Sequence, residues 1–166
     1  GYGMGERPIL EIARRLDAGE KISDITDVPQ TVVWQPLGAA PKGEAESAET
    51  IDGEKSVGEH IILHSFEECL RSPRLQSENF RHIEQQSNRW QGATLWQRYG
   101  QRMVKVNPMY PPMTTEEVDR TFDMAYTRLP HPRYKGKRIP AFDMIRFSVC
   151  LHRGCFGGCA FCTISA

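Results

Sequence analysis

The chain has 166 residues, 39% of them hydrophobic and 25% charged, with Lys plus Arg equal to Asp plus Glu at 21 each. That balance excludes a wholly disordered chain and leaves no overall field to draw the protein to nucleic acid or anionic lipid. No stretch approaches the length of a membrane span, and the first residues lack the basic segment and apolar run of a secretion signal, so the sequence predicts a soluble, cytoplasmic protein without a membrane partner.

The opening GYGMGERPILEIARRLDAGEK predicts a glycine turn feeding a helix. Pro8 suits the first helical turn, Ile9, Ile12, Ala13 and Leu16 recur at helical spacing, and Gly19 can end the element. Glycines 1, 3 and 5 could admit an anion, but no strand precedes them, and a turn that reverses the chain is the simpler reading. A strand is predicted over residues 31–37, with Pro36 implying an edge or an end. Residues 41–59, rich in Glu, Gly and Ser, read as a solvated loop.

EHIILHS predicts a short buried strand, and Ser65 with Glu68 a capping box that opens the next helix. Pro73 should divide that helix, whose second part carries Leu75, Phe80, Ile83 and Trp90 and runs to Gly92. Cys69 falls within it and reads as a small buried apolar side chain. TLWQRYGQRMVKV predicts extended chain with a hairpin at Gly100, and Trp90, Trp96 and Tyr99 read as core aromatics before they read as a stacking platform.

NPMYPPM, with three prolines over residues 107–113, predicts a semi-rigid connector. Thr114 and Glu117 form a second capping box, and Val118, Phe122 and Ala125 a short amphipathic helix ending before Pro130. HPRYKGKR, residues 131–138, is a basic turn with one aromatic, for which a solvated loop and a phosphate-binding role both stand. Finally, Ile145, Phe147, Val149 and Leu151 alternate with polar residues, the period of a strand, and a cysteine loop follows.

That loop, RGCFGGCAFC, places Cys155, Cys159 and Cys162 within eight positions of a five-cysteine chain, which argues for metal binding over a disulfide framework. Three ionised thiolates in so short a loop concentrate negative charge that a bound cation relieves. Structural zinc would need a fourth ligand, for which His152 is the candidate, in a zinc-binding structural or RNA-binding module that uses HPRYKGKR. An iron-sulfur cube needs only the three cysteines if one iron stays open to a small molecule, and Gly157 and Gly158 allow the backbone to approach it.

C-x3-C-x2-C with Phe161 directly before the last cysteine resembles the radical S-adenosylmethionine signature. GYGMGERP, NPMYPPMTTEEVDRTFDMAYTRLPHP and IPAFDMIRFSVCLHRGCFGGCAFCTISA are similar to the YgiQ-type members of that family. The resemblance implies that Cys155, Cys159 and Cys162 ligate a 4Fe-4S cluster and that Phe161 packs near the adenine of S-adenosylmethionine. It implies a partner that supplies electrons, such as flavodoxin or ferredoxin, an unknown substrate, and reductive cleavage to a 5′-deoxyadenosyl radical in the full-length enzyme. No Asp-x-His-x-x-Gly is present, so cobalamin is not supported.

The fold class this implies is α/β, with mixed α+β as the alternative: residues 1–107 as the C-terminal part of a Rossmann-like domain, 108–140 as a connector with one short helix, and 141–166 as the first strand and cluster loop of the radical barrel. A barrel takes about 200 residues or more. The chain is therefore expected to be a segment of a longer enzyme and inactive alone.

Overall fold

The computed structural model describes residues 3–41, 60–89 and 92–150 together with Cys155, Gly157 and Cys159. It divides into two compact units, Gly1–Pro111 and Pro112–Ala166. The first is mixed α/β. Its helices are α1 (Glu6–Asp17), α2 (Phe66–Arg71) and α3 (Pro73–Ser87), and its strands are β1 (Val32–Pro36), β2 (His60–Leu63), β3 (Thr94–Tyr99) and β4 (Arg102–Val106).

The sheet has the order β1-β4-β3-β2. Strand β4 runs antiparallel to both of its neighbours, whereas β2 pairs parallel to β3, so β1, β2 and β3 share one direction. A parallel pair cannot be closed by a tight turn, and α2 with α3 supplies the crossover. The β3–β4 connection is the opposite case: Tyr99 pairs with Arg102 across a two-residue turn, and Gly100 takes φ +56°, a conformation that costs glycine nothing.

Local chemistry sets the helix boundaries. The Ser65 hydroxyl accepts from the Glu68 amide while the Glu68 carboxylate accepts from the Ser65 amide, which satisfies two N-terminal donors of α2. Pro73 opens α3, where a missing N–H does no harm. The α3 helix ends at Ser87 rather than at Gly92, with Asn88 as its C-cap: the Asn88 side chain donates to the Glu84 carbonyl, and the next amide, of Arg89, turns tighter to the Gln86 carbonyl. Trp90 and residues 42–59, including most of the expected solvated loop, lie outside the described residues.

Glycine at position 3 has a packing reason. It adopts φ +66°, and a Cβ there would stand 2.7 Å from the Gln30 side-chain nitrogen, which donates to the Met4 carbonyl. The glycine turn thus makes room for the Gln30 side chain. Gln30 itself holds φ +58°, and its amide donates to the Pro108 carbonyl.

The core of this unit is small. Ile25, Val28, Leu63, Cys69, Ala93, Leu95, Trp96 and Met103 are buried, and each large member contributes about 1.5–3 kcal/mol. Two buried asparagines supplement it. Asn107 donates to the carbonyls of Thr26 and Val28 and to the Thr31 hydroxyl, and Lys105 donates to the same Thr26 carbonyl, so the segment before β1 is tied to the end of β4. Asn79, on α3, accepts from the His64 amide and donates to the His64 carbonyl. It continues the backbone ladder with a side chain where β2 stops.

Two expectations need correction. Among the described residues strand β2 lies at the sheet edge, with no strand paired beyond it, and it is buried only at Leu63. The apolar stripe of α1 is not covered either: Ile9 and Leu16 are 69% and 44% exposed. The helix is held instead by the polar fork of Arg15, which binds Glu20 at 2.7 Å and Asp27 at 2.6 Å.

The second unit contains α4 (Thr115–Phe122), a short 3-10 turn (Pro132–Tyr134) and α5 (Pro140–Ile145). Thr114 and Glu117 form the second capping box as the sequence predicts. The strand expected from alternation over 145–151 is not formed among the described residues: Ile145 closes α5, and residues 146–150 pair with no strand. Alternation specifies two faces, but a strand exists only where another backbone accepts its ladder, and no strand is present among the described residues of this unit. Ile145, Phe147 and Val149 are accordingly 60%, 87% and 73% exposed.

Two outcomes follow for stability. Asn107→Ala takes a donor from the Thr31 hydroxyl oxygen and from the Thr26 and Val28 carbonyls, of which the last two keep Lys105 and the Thr31 hydroxyl, and should lower the urea unfolding free energy by about 1–3 kcal/mol. Arg15 holds the carboxyls of Glu20 and Asp27 below their usual range, so its contribution is complete above the unfolded carboxyl values and is lost as pH falls through the lowered folded ones. The difference in melting temperature between wild type and Arg15→Ala should therefore be largest near neutrality and shrink below about pH 4.

Candidate metal centre

Two of the three clustered cysteines are described, Cys155 and Cys159, and both thiols are exposed. Gly157 lies between them. Its amide donates to the Cys155 sulfur at 3.3 Å, and its carbonyl accepts from the Cys159 thiol at 3.9 Å. A Cβ built on Gly157 would stand 3.3 Å from the Cys155 sulfur and 3.6 Å from that of Cys159. The loop therefore folds both sulfurs around one backbone residue, and any side chain there would crowd them.

This arrangement suits a soft metal. Thiolates are the ligands of zinc and of iron-sulfur clusters. The donor set on view therefore fits a cluster, with Cys155 and Cys159 converging on one side of the loop. No group of three potential metal ligands occurs among the described residues; Cys162, Phe161 and His152 lie outside them.

The remaining cysteines differ. Cys69 is buried, receives an N–H from Asn79 at 3.1 Å, and has its thiol pKa pushed up by desolvation. It is the packed apolar side chain that its helical position predicts. Cys150 is exposed on the segment leading to the loop. No helix among the described residues is long and apolar enough to cross a membrane.

Of the candidate stacking aromatics, Trp96 is a core residue. Tyr99 is instead half exposed, with its ring centroid 5.8 Å from Trp34 and 4.8 Å from Phe66, while the Arg102 guanidinium lies 4.7 Å from the centre of the Trp34 ring. Nothing in the sequence signals that cluster, because Trp34, Phe66, Tyr99 and Arg102 come from β1, α2, β3 and β4 and meet only in the tertiary fold. Residues 131–138 form an exposed turn built on the 3-10 helix.

The Radical SAM N-terminal family model matches residues 1–148. The chain belongs to that radical SAM family. It is 46% identical to a UPF0313 protein of Bacteroides thetaiotaomicron and 49% identical to one of Porphyromonas gingivalis, each over 99% of the chain and over 26% and 24% of the relative. It is 35% identical to the UPF0313 protein YgiQ of Escherichia coli K12, over 99% of the chain and 28% of that relative. The radical SAM chain thus spans about a quarter of the length of the curated relatives it matches. No solved structure matches it. The likeness to YgiQ-type proteins read from the motifs stands.

The position of Gly157 is open to test. Gly157→Val places a branched side chain against both sulfurs, and the variant should bind several-fold less iron per chain after anaerobic reconstitution, read by iron analysis against wild type.

Proposed function

We propose that this chain carries the cluster-binding loop of a radical S-adenosylmethionine enzyme. Residues 1–107 would belong to a Rossmann-like domain, 108–140 to a connector, and 141–166 to the start of the catalytic barrel. The observation that carries the reading is the pair of sulfurs folded around Gly157 in a loop that directly follows the radical SAM family region.

Cys155, Cys159 and Cys162 would hold three irons of a 4Fe-4S cluster, which with S-adenosylmethionine supplies one-electron cleavage to a 5′-deoxyadenosyl radical. The residues of the chain have narrower tasks. Three thiolates and no fourth leave one iron without a protein ligand. Gly157 keeps the space between the first two sulfurs clear, and its N–H donates to the Cys155 sulfur. Phe161 would lie against the adenine and keep water from it. Substrate contacts and the reaction catalysed belong to the whole enzyme.

The full-length protein, reconstituted without air, should bind about four irons and four sulfides and turn brown. Cys155→Ala, Cys159→Ala and Cys162→Ala should each abolish the visible absorption, whereas Cys69→Ala should leave it intact. Stoichiometric zinc with no iron in protein purified without air overturns the reading.

A further inference from the structure

Strands β1, β2 and β3 run in one direction and end at one edge of the sheet. Trp34 near the end of β1, Tyr99 at the end of β3 and Phe66 at the start of α2 meet there, and Arg102 opens β4 beside them. In open α/β sheets ligands bind outside this carboxyl edge of the strands. Trp34 and Tyr99 are each 48% exposed and Phe66 38%, whereas Trp96 of the same sheet is buried. The rings at the edge are therefore in contact with one another and open to solvent.

Hydrogen bonds fix the cluster in place. The Gly100 amide donates to the Glu67 carboxylate at 2.7 Å, which pins the β3–β4 turn to α2, and Arg98 Nε donates to the Gly100 carbonyl at 3.1 Å. The Arg102 guanidinium lies 4.7 Å from the centre of the Trp34 ring. Arg98 and Arg102 are exposed, and neither has an ion-pair partner among the described residues. Glu67, the acidic neighbour, is already engaged by the Gly100 amide.

Together these groups select a ligand. A cation drawn to the rings would meet the Arg102 guanidinium at the same place and be repelled. A wholly apolar partner would take two unpaired guanidinium groups out of water, which is costly. A simple anion would use the arginines and leave the rings bare. A flat aromatic ring joined to an anionic group satisfies both sets, since rings stack on rings and the guanidinium fork matches a phosphate. A nucleotide joins the two in one small molecule. The platform is three rings wide and the chain has a pI near 7.1, so it suits one nucleotide unit better than the long track of a polyanion.

We propose that Trp34, Tyr99 and Arg102 form a nucleotide-binding site, with the base on the rings and the phosphate on the guanidinium. The site lies wholly within the first unit and does not depend on a cluster, so its test is separate from that of the proposed function.

Cluster-free full-length protein is titrated with AMP, GMP, CMP and UMP and with the matching nucleosides, by calorimetry and by tryptophan fluorescence. At least one nucleotide should bind more tightly than its nucleoside and quench the fluorescence. Trp34→Ala should weaken that binding about tenfold. Trp34→Phe should keep most of the affinity and lose the quenching. Arg102→Ala should reduce the nucleotide to the affinity of its nucleoside, while Arg102→Lys should keep part of the difference, and circular dichroism should show every variant folded. A short single-stranded RNA that binds through the same residues where the mononucleotides do not would support the site and identify its nucleotide as part of a nucleic acid.

No binding of any of these probes at millimolar concentration overturns the proposal. So does binding that folded Trp34→Ala and Arg102→Ala leave unaltered. A proline-rich peptide held by the rings while every nucleotide is inert also overturns it, since the cluster would then be a peptide groove.

Discussion

Strand β4 is the constraint on which the first unit depends, because it is paired on both sides. Its ladder with β3 closes across two residues at Gly100, which is cheap in chain entropy, but its ladder with β1 joins Val32–Pro36 to residues about seventy positions later. Without it β1 has no partner, and the segment between α1 and β1, where Ile25 and Val28 are buried, loses the Lys105 and Asn107 side chains that hold its carbonyls. The side chains at the end of β4 reinforce the same closure. Lys105 and Asn107 converge on the Thr26 carbonyl, and Asn107 adds Val28 and Thr31, so polar groups do at this end what a larger apolar core would do elsewhere.

The second unit is held differently. None of its described residues is buried, and its elements are short. What organises it is local: the Thr114 capping box, the His131 cap of the 3-10 turn, and the ion pair of Arg138 with Asp143. Helices this short owe most of their stability in folded proteins to packing of an apolar face. The exposed Met144, Ile145, Phe147 and Val149 show that such a face exists here without a cover among the described residues. The thiols of Cys155 and Cys159 follow that segment. Their relation to each other is set by one glycine and two backbone contacts, which the five residues from Cys155 to Cys159 can encode without help from a distant element.

Much of this was legible before any coordinates. Both capping boxes, the break at Pro73, the hairpin at Gly100 and the burial of Cys69 follow from side-chain chemistry that acts within four or five residues, so composition at the right spacing was enough. Asn79 and Asn107 were not legible. A buried asparagine looks in sequence like any surface asparagine until the acceptors that surround it are brought in from another element. The stripe on α1 and the alternation at 145–151 were read correctly as patterns but carried too far as structure, since a pattern states what a face would bury and not whether anything arrives to bury it.

The sequence by itself determined the family, the three clustered cysteines and the concentration of positive charge between Asp123 and Asp143. Each is a property of residue type and spacing along a short stretch of chain. Only the tertiary structure decided that β1 belongs beside β4, that Gly3 makes room for Gln30, and that Trp34, Phe66 and Tyr99 meet. Those outcomes require backbone ladders between segments far apart in the chain, and a ladder's partner and register are not written in either strand alone.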